Sequence, residues 1–396
     1  MSKEEKIKEI LTRGVEEIIE RPSLEKKLRS GKKLRVKLGI DPTGSELHLG
    51  HASVLRKLKQ FQDLDHEIIF LIGDFTAKIG DPSGRKEERK PLTSKDIKQN
   101  MKDYVRQAGK ILNIKKTQIR YNSEWYEKKD TSFLFELSSR FTVARVLERD
   151  DFQERMKEKK EISVLEILYP LFQGYDSVAL EADIELGASD QKFNLLMARR
   201  VQKRYGQEEQ DILTVPLLEG LDGQRKMSKS YNNYIAIEER SNEMYAKIMS
   251  LPDNLMWKYF ELLTELSMDK IKDWQGQVEE NKTNPKDIKA KLAFEITKSL
   301  HSQEKAKNAE GEFNKVFRDK ELPSQIPEIV IKEQKLKIVD LLVKARLSPS
   351  KSDARRLVEQ GGVKINKNFI KDPFKEVDIK SGLVLRIGKR KIIKIK

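Results

Sequence analysis

A chain of 396 residues with 37% hydrophobic side chains is long enough for two or three separate cores. It has no cysteine, which excludes disulfides and Cys-ligated zinc, and no run of about 18 apolar residues, which excludes a membrane-spanning helix. The net charge of +15 is concentrated at one end, where residues 336–396 carry 17 Lys/Arg against 6 Asp/Glu. That bias suits a polyanion, nucleic acid first, or else a solvated basic tail. The charged opening MSKEEKIKEI has no apolar core and does not read as a secretory signal, so a cytoplasmic protein is expected.

Residues 33–40 (KLRVKLGI) alternate apolar and charged positions and predict a strand, followed by the turn-rich loop DPTGSE. Over 52–62, Val54, Leu55, Leu58 and Phe61 fall on one helical face. The apolar run 67–75 (EIIFLIGDF) predicts a strand buried on both sheet faces. Strand, helix, strand is a βαβ unit with a parallel, Rossmann-like sheet. After a Gly-, Pro-, Arg- and Lys-rich loop at 80–94, helices are predicted over about 94–112 and much of 132–172. Strands are predicted at 180–186 and 212–218, with a helix over 190–205 between them.

Beyond Ser230 the strand signals fade, and 255–266 and 285–301 predict a helical second domain, with Pro323 and Pro327 in a linker. At the end, Ile338, Leu341, Leu342 and Ala345 share one helical face over 336–346. Ser352 is a candidate N-cap for DARRLVEQ, which stops at Gly361–Gly362. Strand-like VKIN, LVLRI and KIIKIK follow, the last two joined by a turn at Gly388, Lys389 and Arg390. The domain expectation is 1–230, α/β with a Rossmann-like parallel sheet; 231–330, α-helical with the linker; and 336–396, a small α+β module. Two short helices leading into a small sheet resemble the S4 RNA-binding fold, with Arg355 and Arg356 exposed for RNA.

His48-Leu49-Gly50-His51 lies between the first strand and its helix. In an open parallel sheet, ligands bind beyond the strands' carboxyl ends, beside a helix N-terminus. Two imidazoles there can reach a phosphate, with Gly50 opening the backbone to a flat ring; taken alone, they can equally be two satisfied histidines. Lys226-Met227-Ser228-Lys229-Ser230 follows a glycine turn, and its paired lysines and hydroxyls suit a clamp for a triphosphate. All five letters match the KMSKS signature of class I aminoacyl-tRNA synthetases, 174 residues beyond the HLGH segment. Tyr169, Gln173 and Asp176 recur at i, i+4 and i+7, so a helix places them on one face, an unusual core stripe because each needs a partner when buried.

GIDPTGSELHLGH, IGDPSGRKEER, YPLFQGYD, GASDQ and LDGQRKMSKS, in this order, resemble the bacterial tyrosyl-tRNA synthetases, and the S4-like end fits the same family. The resemblance implies that L-tyrosine reacts with ATP to tyrosyl-adenylate and pyrophosphate, and is then passed to the 3′-terminal adenosine of tRNA(Tyr). It implies catalytic roles for His48, His51, Lys226 and Lys229. Asp41, Thr43, Gly50, Asp190 and Ser230 border the nucleotide with them. Asp176 accepts the substrate hydroxyl, Tyr169, Gln173 and Asp81 hold its ammonium, and Gln191 lies near the tyrosine. Asp190 alone also reads as an N-cap, and Arg85 and Arg89 as a pyrophosphate or tRNA contact or as solvated charge. Mg²⁺ accompanies ATP, with no tightly held protein-ligated metal, and a homodimer is implied. Where family members often carry a tyrosine contacting the substrate hydroxyl, this chain has Lys37; either Asp176 finds another helper, or Lys37 turns away and water fills in. Two alternatives remain: a tryptophanyl-tRNA synthetase, against which YPLFQGYD and the S4-like end argue, and an inactive RNA-binding scaffold, against which the two intact signatures argue.

Overall fold

The computed structural model describes residues 2–83, 93–317, 326–366, 368–388 and 391–396. The chain forms two compact units, Met1–Glu310 and Gly311–Lys396.

The first unit is built on a six-stranded sheet of β1 (Glu17–Ile19), β2 (Arg35–Ile40), β3 (Glu67–Ile72), β4 (Thr117–Tyr121), β5 (Ile184–Ala188) and β6 (Asp211–Val215). The spatial order is β1-β6-β5-β2-β3-β4, parallel throughout except for β1, which pairs antiparallel with β6. The chain moves outward from β2 in one direction through β3 and β4, and in the other through β5 and β6. The gap beyond the carboxyl ends of β2 and β5 is therefore the topological switch point, where an open α/β sheet binds its ligands. Every residue of β6, and all but the first of β3, is buried, as a sheet covered on both faces requires. Helix α1 (Leu49–Gln62) crosses from β2 to β3, and α2 (Ser94–Ala108) leads towards β4. Helix α3 (Val164–Leu180) precedes β5, and α4 (Lys192–Arg204) connects β5 to β6. The two helical segments predicted after Ser230 are present as Met256–Leu263 and Pro285–Leu300, joined by the further helices Ser241–Met249, Met268–Glu279 and Gln303–Phe317.

Several boundaries differ from expectation for local reasons. The strand predicted to 218 ends at Val215 because Pro216 has no N–H for the ladder. Residues 180–183 are the end of α3 and its turn, with Glu181 left-handed at φ 47°. Strand β3 stops at Ile72 because Gly73 starts the turn into Thr76–Lys78. Strands β1 and β4 were not legible: one has three residues, the other is a polar, half-buried edge. Lys37, a charged position in the alternating pattern of β2, does not face solvent at all.

The second unit has helices α5 (Ile338–Lys344) and α6 (Lys351–Glu359), whose Leu341, Leu342, Ala354 and Val358 share a core with Val363, Leu385 and Ile387 of its strands. Its main sheet includes Val363–Ile365, Val384–Ile387 and Lys391–Ile395 as read, plus Asn368–Ile370 and Glu328–Ile329. The N-cap of α6 is Ser350, not Ser352: the Ser350 Oγ accepts the Asp353 N–H at 3.1 Å, so the helix starts at Lys351. Pro323, Lys389 and Arg390 lie outside the described residues.

Candidate active site

The loop leaving β2 ends at His48, whose extended backbone forms the N-cap of α1. The His51 Nδ1 accepts the His48 N–H at 3.2 Å, and the two ring centroids stand 4.0 Å apart. The His48 Nδ1 is buried with no hydrogen-bond partner among the described residues. Burial, followed by the charges of His51, Lys229 and Lys226, holds His48 well below the ordinary imidazole range. Burial and then Lys229 push His51 down to about 3, the hydrogen bond with the His48 backbone acting the other way. Both rings are thus neutral at pH 7, set at the positive end of a helix, where an anion is favoured. A Cβ on Gly50 would stand 3.0 Å from the His48 ring, so a side chain there would move that imidazole.

The KMSKS segment crosses the same space. The Met227 N–H donates to the Leu218 carbonyl at 2.7 Å, and the Ser228 N–H to Asn233 Oδ1 at 2.8 Å, which pin its backbone. The Lys226 Nζ donates to Asp190 Oδ2 at 2.7 Å. The Lys229 Nζ donates to the Glu46 carbonyl at 2.8 Å and lies 5.9 Å from the Tyr104 ring centre. Ser230 is exposed at the rim. Asp190 belongs to a short turn, Ser189–Gln191, and is not the helix cap, since α4 has Gln191 at its N-cap without a side-chain bond.

Helix α3 carries Tyr169, Gln173 and Asp176 on the cleft side. The buried Asp176 accepts the Trp125 Nε1–H at 3.0 Å on one carboxylate oxygen and the Asn122 amide at 3.3 Å on the other. Burial pushes its carboxyl up to about 7, against the charge of Lys37 and the hydrogen bonds of Asn122 and Trp125. The Tyr169 hydroxyl donates to Asp41 Oδ2 at 3.0 Å, and the Thr76 hydroxyl to Asp41 Oδ1 at 2.7 Å. A Cβ on Gly73 would overlap both Asp41 Oδ1 and Thr76 Oγ1, so a glycine is required under that carboxylate. Asp81 accepts Gln191 Nε2 at 2.8 Å, the Ser83 hydroxyl at 2.7 Å and Asn194 Nδ2 at 3.3 Å.

Asp41, Thr43, His48, Gly50, His51, Asp81, Tyr169, Gln173, Asp176, Asp190, Gln191, Lys226, Lys229 and Ser230 all line one cleft of about 850 Å³ at the switch point. Arg355 and Arg356 belong to the second unit, exposed on α6 and paired with Glu359 and Asp353. Arg85 and Arg89 lie outside the described residues. Sequence reasoning missed Thr76, Asn122 and Trp125, which engage two of these carboxylates, and the buried Arg149, which bonds Ser83 at 3.0 Å and Asn194 at 2.7 Å. It also missed Glu185. The signal for it was a carboxylate inside the apolar strand DIELGA, and the register of β2 and β5 places it opposite Lys37. Among the described residues, no group of three or more His, Cys, Asp or Glu is placed to hold a metal ion, and no helix is long and apolar enough to cross a membrane.

A six-stranded sheet with a histidine pair at the first crossover helix and a KMSKS loop facing it defines a class I aminoacyl-tRNA synthetase catalytic unit. Residues 29–318 match the family model of class I tRNA synthetases (W and Y), and residues 319–394 match the SYY-like C-terminal domain of tyrosine–tRNA ligases. The tyrosine–tRNA ligase of Thermotoga maritima is 49% identical over 100% of this chain and 98% of its own length. That of Aquifex aeolicus is 47% identical over 100% and 99%. The chain belongs to the tyrosine–tRNA ligase family. The tyrosyl-tRNA synthetase of Archaeoglobus fulgidus, solved with L-tyrosine, shares the fold at 24% identity and a TM-score of 0.62, over 78% of this chain and 100% of that one.

Proposed function

We propose that this chain joins L-tyrosine to tRNA(Tyr) in two steps through tyrosyl-adenylate, and that the residues gathered in the cleft divide the work. The observation that carries the reading is that Asp176 lines the same cleft as His48, His51, Lys226 and Lys229, so an acceptor for a phenol and donors for a polyphosphate lie in one enclosure. In the first step the tyrosine carboxylate attacks the α-phosphorus of ATP and pyrophosphate leaves. The substrate is its own nucleophile, so the protein's part is positioning and stabilising charge on the phosphate oxygens. The two imidazoles and two ammoniums supply that stabilisation. Asp41, Thr43, Gly50, Asp190 and Ser230 border the nucleotide. Asp176 accepts the substrate hydroxyl, while Asp81, Tyr169 and Gln173 hold the ammonium, with Gln191 beside them. Mg²⁺ enters with the phosphates as part of the ATP substrate. In the second step the terminal adenosine hydroxyl of tRNA attacks the adenylate carbonyl and AMP leaves.

On this reading the chain divides into a catalytic part (1–230), a helical tRNA-binding part with its linker (231–330) and a basic RNA-binding module (336–396), whose sheet the linker's Glu328–Ile329 joins. Arg355 and Arg356 are exposed on α6 for RNA phosphates. A homodimer is supported by Phe135, Val143, Met156, Val164 and Leu165, large apolar side chains left exposed within residues 131–165. We place the protein in the cytoplasm. Amino-acid-dependent ATP–pyrophosphate exchange tests the reading. Exchange with tyrosine alone is expected. Exchange with tryptophan alone would assign the other amino acid, and none with either would leave an RNA-binding scaffold.

A further inference from the structure

Lys37 and Glu185 stand opposite one another on β2 and β5, at 0% and 1% side-chain exposure, with the Lys37 Nζ 2.9 Å from Glu185 Oε1. The same Nζ donates to the Ser177 hydroxyl at 2.7 Å and approaches the Gln173 carbonyl at 3.4 Å, so it lies under the turn of α3 that presents Asp176. The Ser177 hydroxyl in turn donates to Glu185 Oε2 at 3.1 Å, and the Gln210 amide bonds the same carboxylate oxygen. Lys37 also lines the cleft. Isolated charges are costly in such a place, so an ion pair kept there within reach of a ligand cavity invites a functional reading.

We propose that Lys37 is a positioning residue for amino-acid recognition: from beneath α3 it keeps the Asp176 carboxylate ionised, as the acceptor for the substrate hydroxyl, while Glu185 holds Lys37 in place and tempers its field. The proposal rests on Asp176 being that acceptor. The groups facing Asp176 fit it. From the segment before and within Ser123–Tyr126 come Asn122, Trp125 and Tyr126; along its own helix lies Tyr169, bonded to Asp41; and from the sheet comes Lys37, backed by Glu185. Lys37 is the cation among them, and its charge is the largest influence opposing the effect of burial on Asp176.

Removing the ammonium and removing its counter-charge should then shift Asp176 in opposite directions. The measurement is kcat/KM for tyrosine in pyrophosphate exchange across pH 5.5–9, whose acid limb reports the free enzyme's Asp176, with KM for ATP as the internal control. Lys37→Met should move the limb to higher pH, and Glu185→Gln to lower pH, each on the order of one unit. Should Lys37→Met not fold, the neutral pair Lys37→Met/Glu185→Gln replaces it, and its limb must lie above that of Glu185→Gln. Limbs that coincide with the unmodified enzyme, or that move the same way in both variants, overturn the proposal. Asp176→Asn separates the two levels. If it leaves the limb unchanged, the assignment of Asp176 itself fails; if it abolishes the limb while the ion-pair variants leave it in place, only the role of Lys37 fails.

Discussion

The Lys226 Nζ donates to Asp190 Oδ2 at 2.7 Å, which ties the first lysine of the KMSKS segment to the turn that follows β5. The carboxylate holds the ammonium within the cleft that forms the proposed ATP site. Asp190→Ala should free the lysine and remove a nucleotide contact at once, raising KM for ATP by about tenfold, equivalent to about 1.4 kcal/mol. KM for tyrosine should stay within about twofold. Pyrophosphate-exchange kinetics with each substrate varied in turn measure both, and an unchanged KM for ATP would remove Asp190 from the nucleotide site.

Lys229 reaches back to the Glu46 carbonyl just before His48, so it lies on the same side of the cleft as the imidazole pair and lowers both of their proton affinities. A cation there does most when charge develops on the departing pyrophosphate. Lys229→Ala should slow adenylate formation by about a hundredfold while barely changing tyrosine binding. Pre-steady-state adenylate formation at saturating tyrosine gives the rate, and equilibrium titration with tyrosine gives the binding.

Asp176 has two neutral donors, Trp125 and Asn122, on its carboxylate and the charge of Lys37 nearby, so the pocket is organised around an acceptor. Asp176→Ala should remain folded, since α3 stays anchored by the apolar cluster that includes Leu171, Phe172 and Leu180. The lost charged hydrogen bond should raise KM for tyrosine about tenfold to a hundredfold and erode discrimination against phenylalanine. Tyrosine and phenylalanine compared in the same exchange assay settle it; wild-type constants would refute the assignment.

Much of this site was legible because chemistry-bearing residues stood in short segments next to turns: HLGH after a strand, GASDQ after a strand, KMSKS after a glycine turn. Strand ends in a parallel sheet converge, so such segments meet even when far apart in sequence. The pattern of β2 was misleading at Lys37, because alternation of charge implies a solvated face only where that face is open, and here Glu185 from the next strand neutralises the ammonium. Thr76, Asn122 and Trp125 were not legible, since each is a common polar or aromatic residue whose role is fixed only by the partner that folding brings to it. Edge strands β1 and β4 escaped because three residues, or a half-polar five, carry no period to read.

The imidazole pair makes the first unit acid-sensitive. The unfolded chain takes up protons at its histidines near pH 6.5, whereas folded His51 does so only near 3 and His48 well below its ordinary value. Between these limits the unfolded state binds more protons, so stability is full above about pH 6.5 and declines as pH falls towards 3. For His51 alone the loss at pH 5 is about 2 kcal/mol. His51→Gln should therefore show a smaller drop in Tm between pH 7 and pH 5 than the unmodified protein. Equal drops in thermal unfolding followed at both pH values would show that His51 is not the group held neutral.

The basic module has its own core and its own sheet, to which Glu328–Ile329 contributes by pairing with Lys391–Ile395. Removing residues 326–396 therefore takes the whole sheet and, among the described residues, leaves no unpaired strand behind. The cleft belongs entirely to the first unit, so tyrosine-dependent pyrophosphate exchange should be retained within about twofold. Charging of tRNA should fall by about tenfold or more in kcat/KM for tRNA at 0.15 M salt, because phosphate contacts carry much of the affinity and weaken steeply with ionic strength. The truncated chain's charging should also depend less on salt than the full chain's. Undiminished charging with an unchanged salt slope would mean that the excess of positive charge in residues 336–396 meets something other than tRNA.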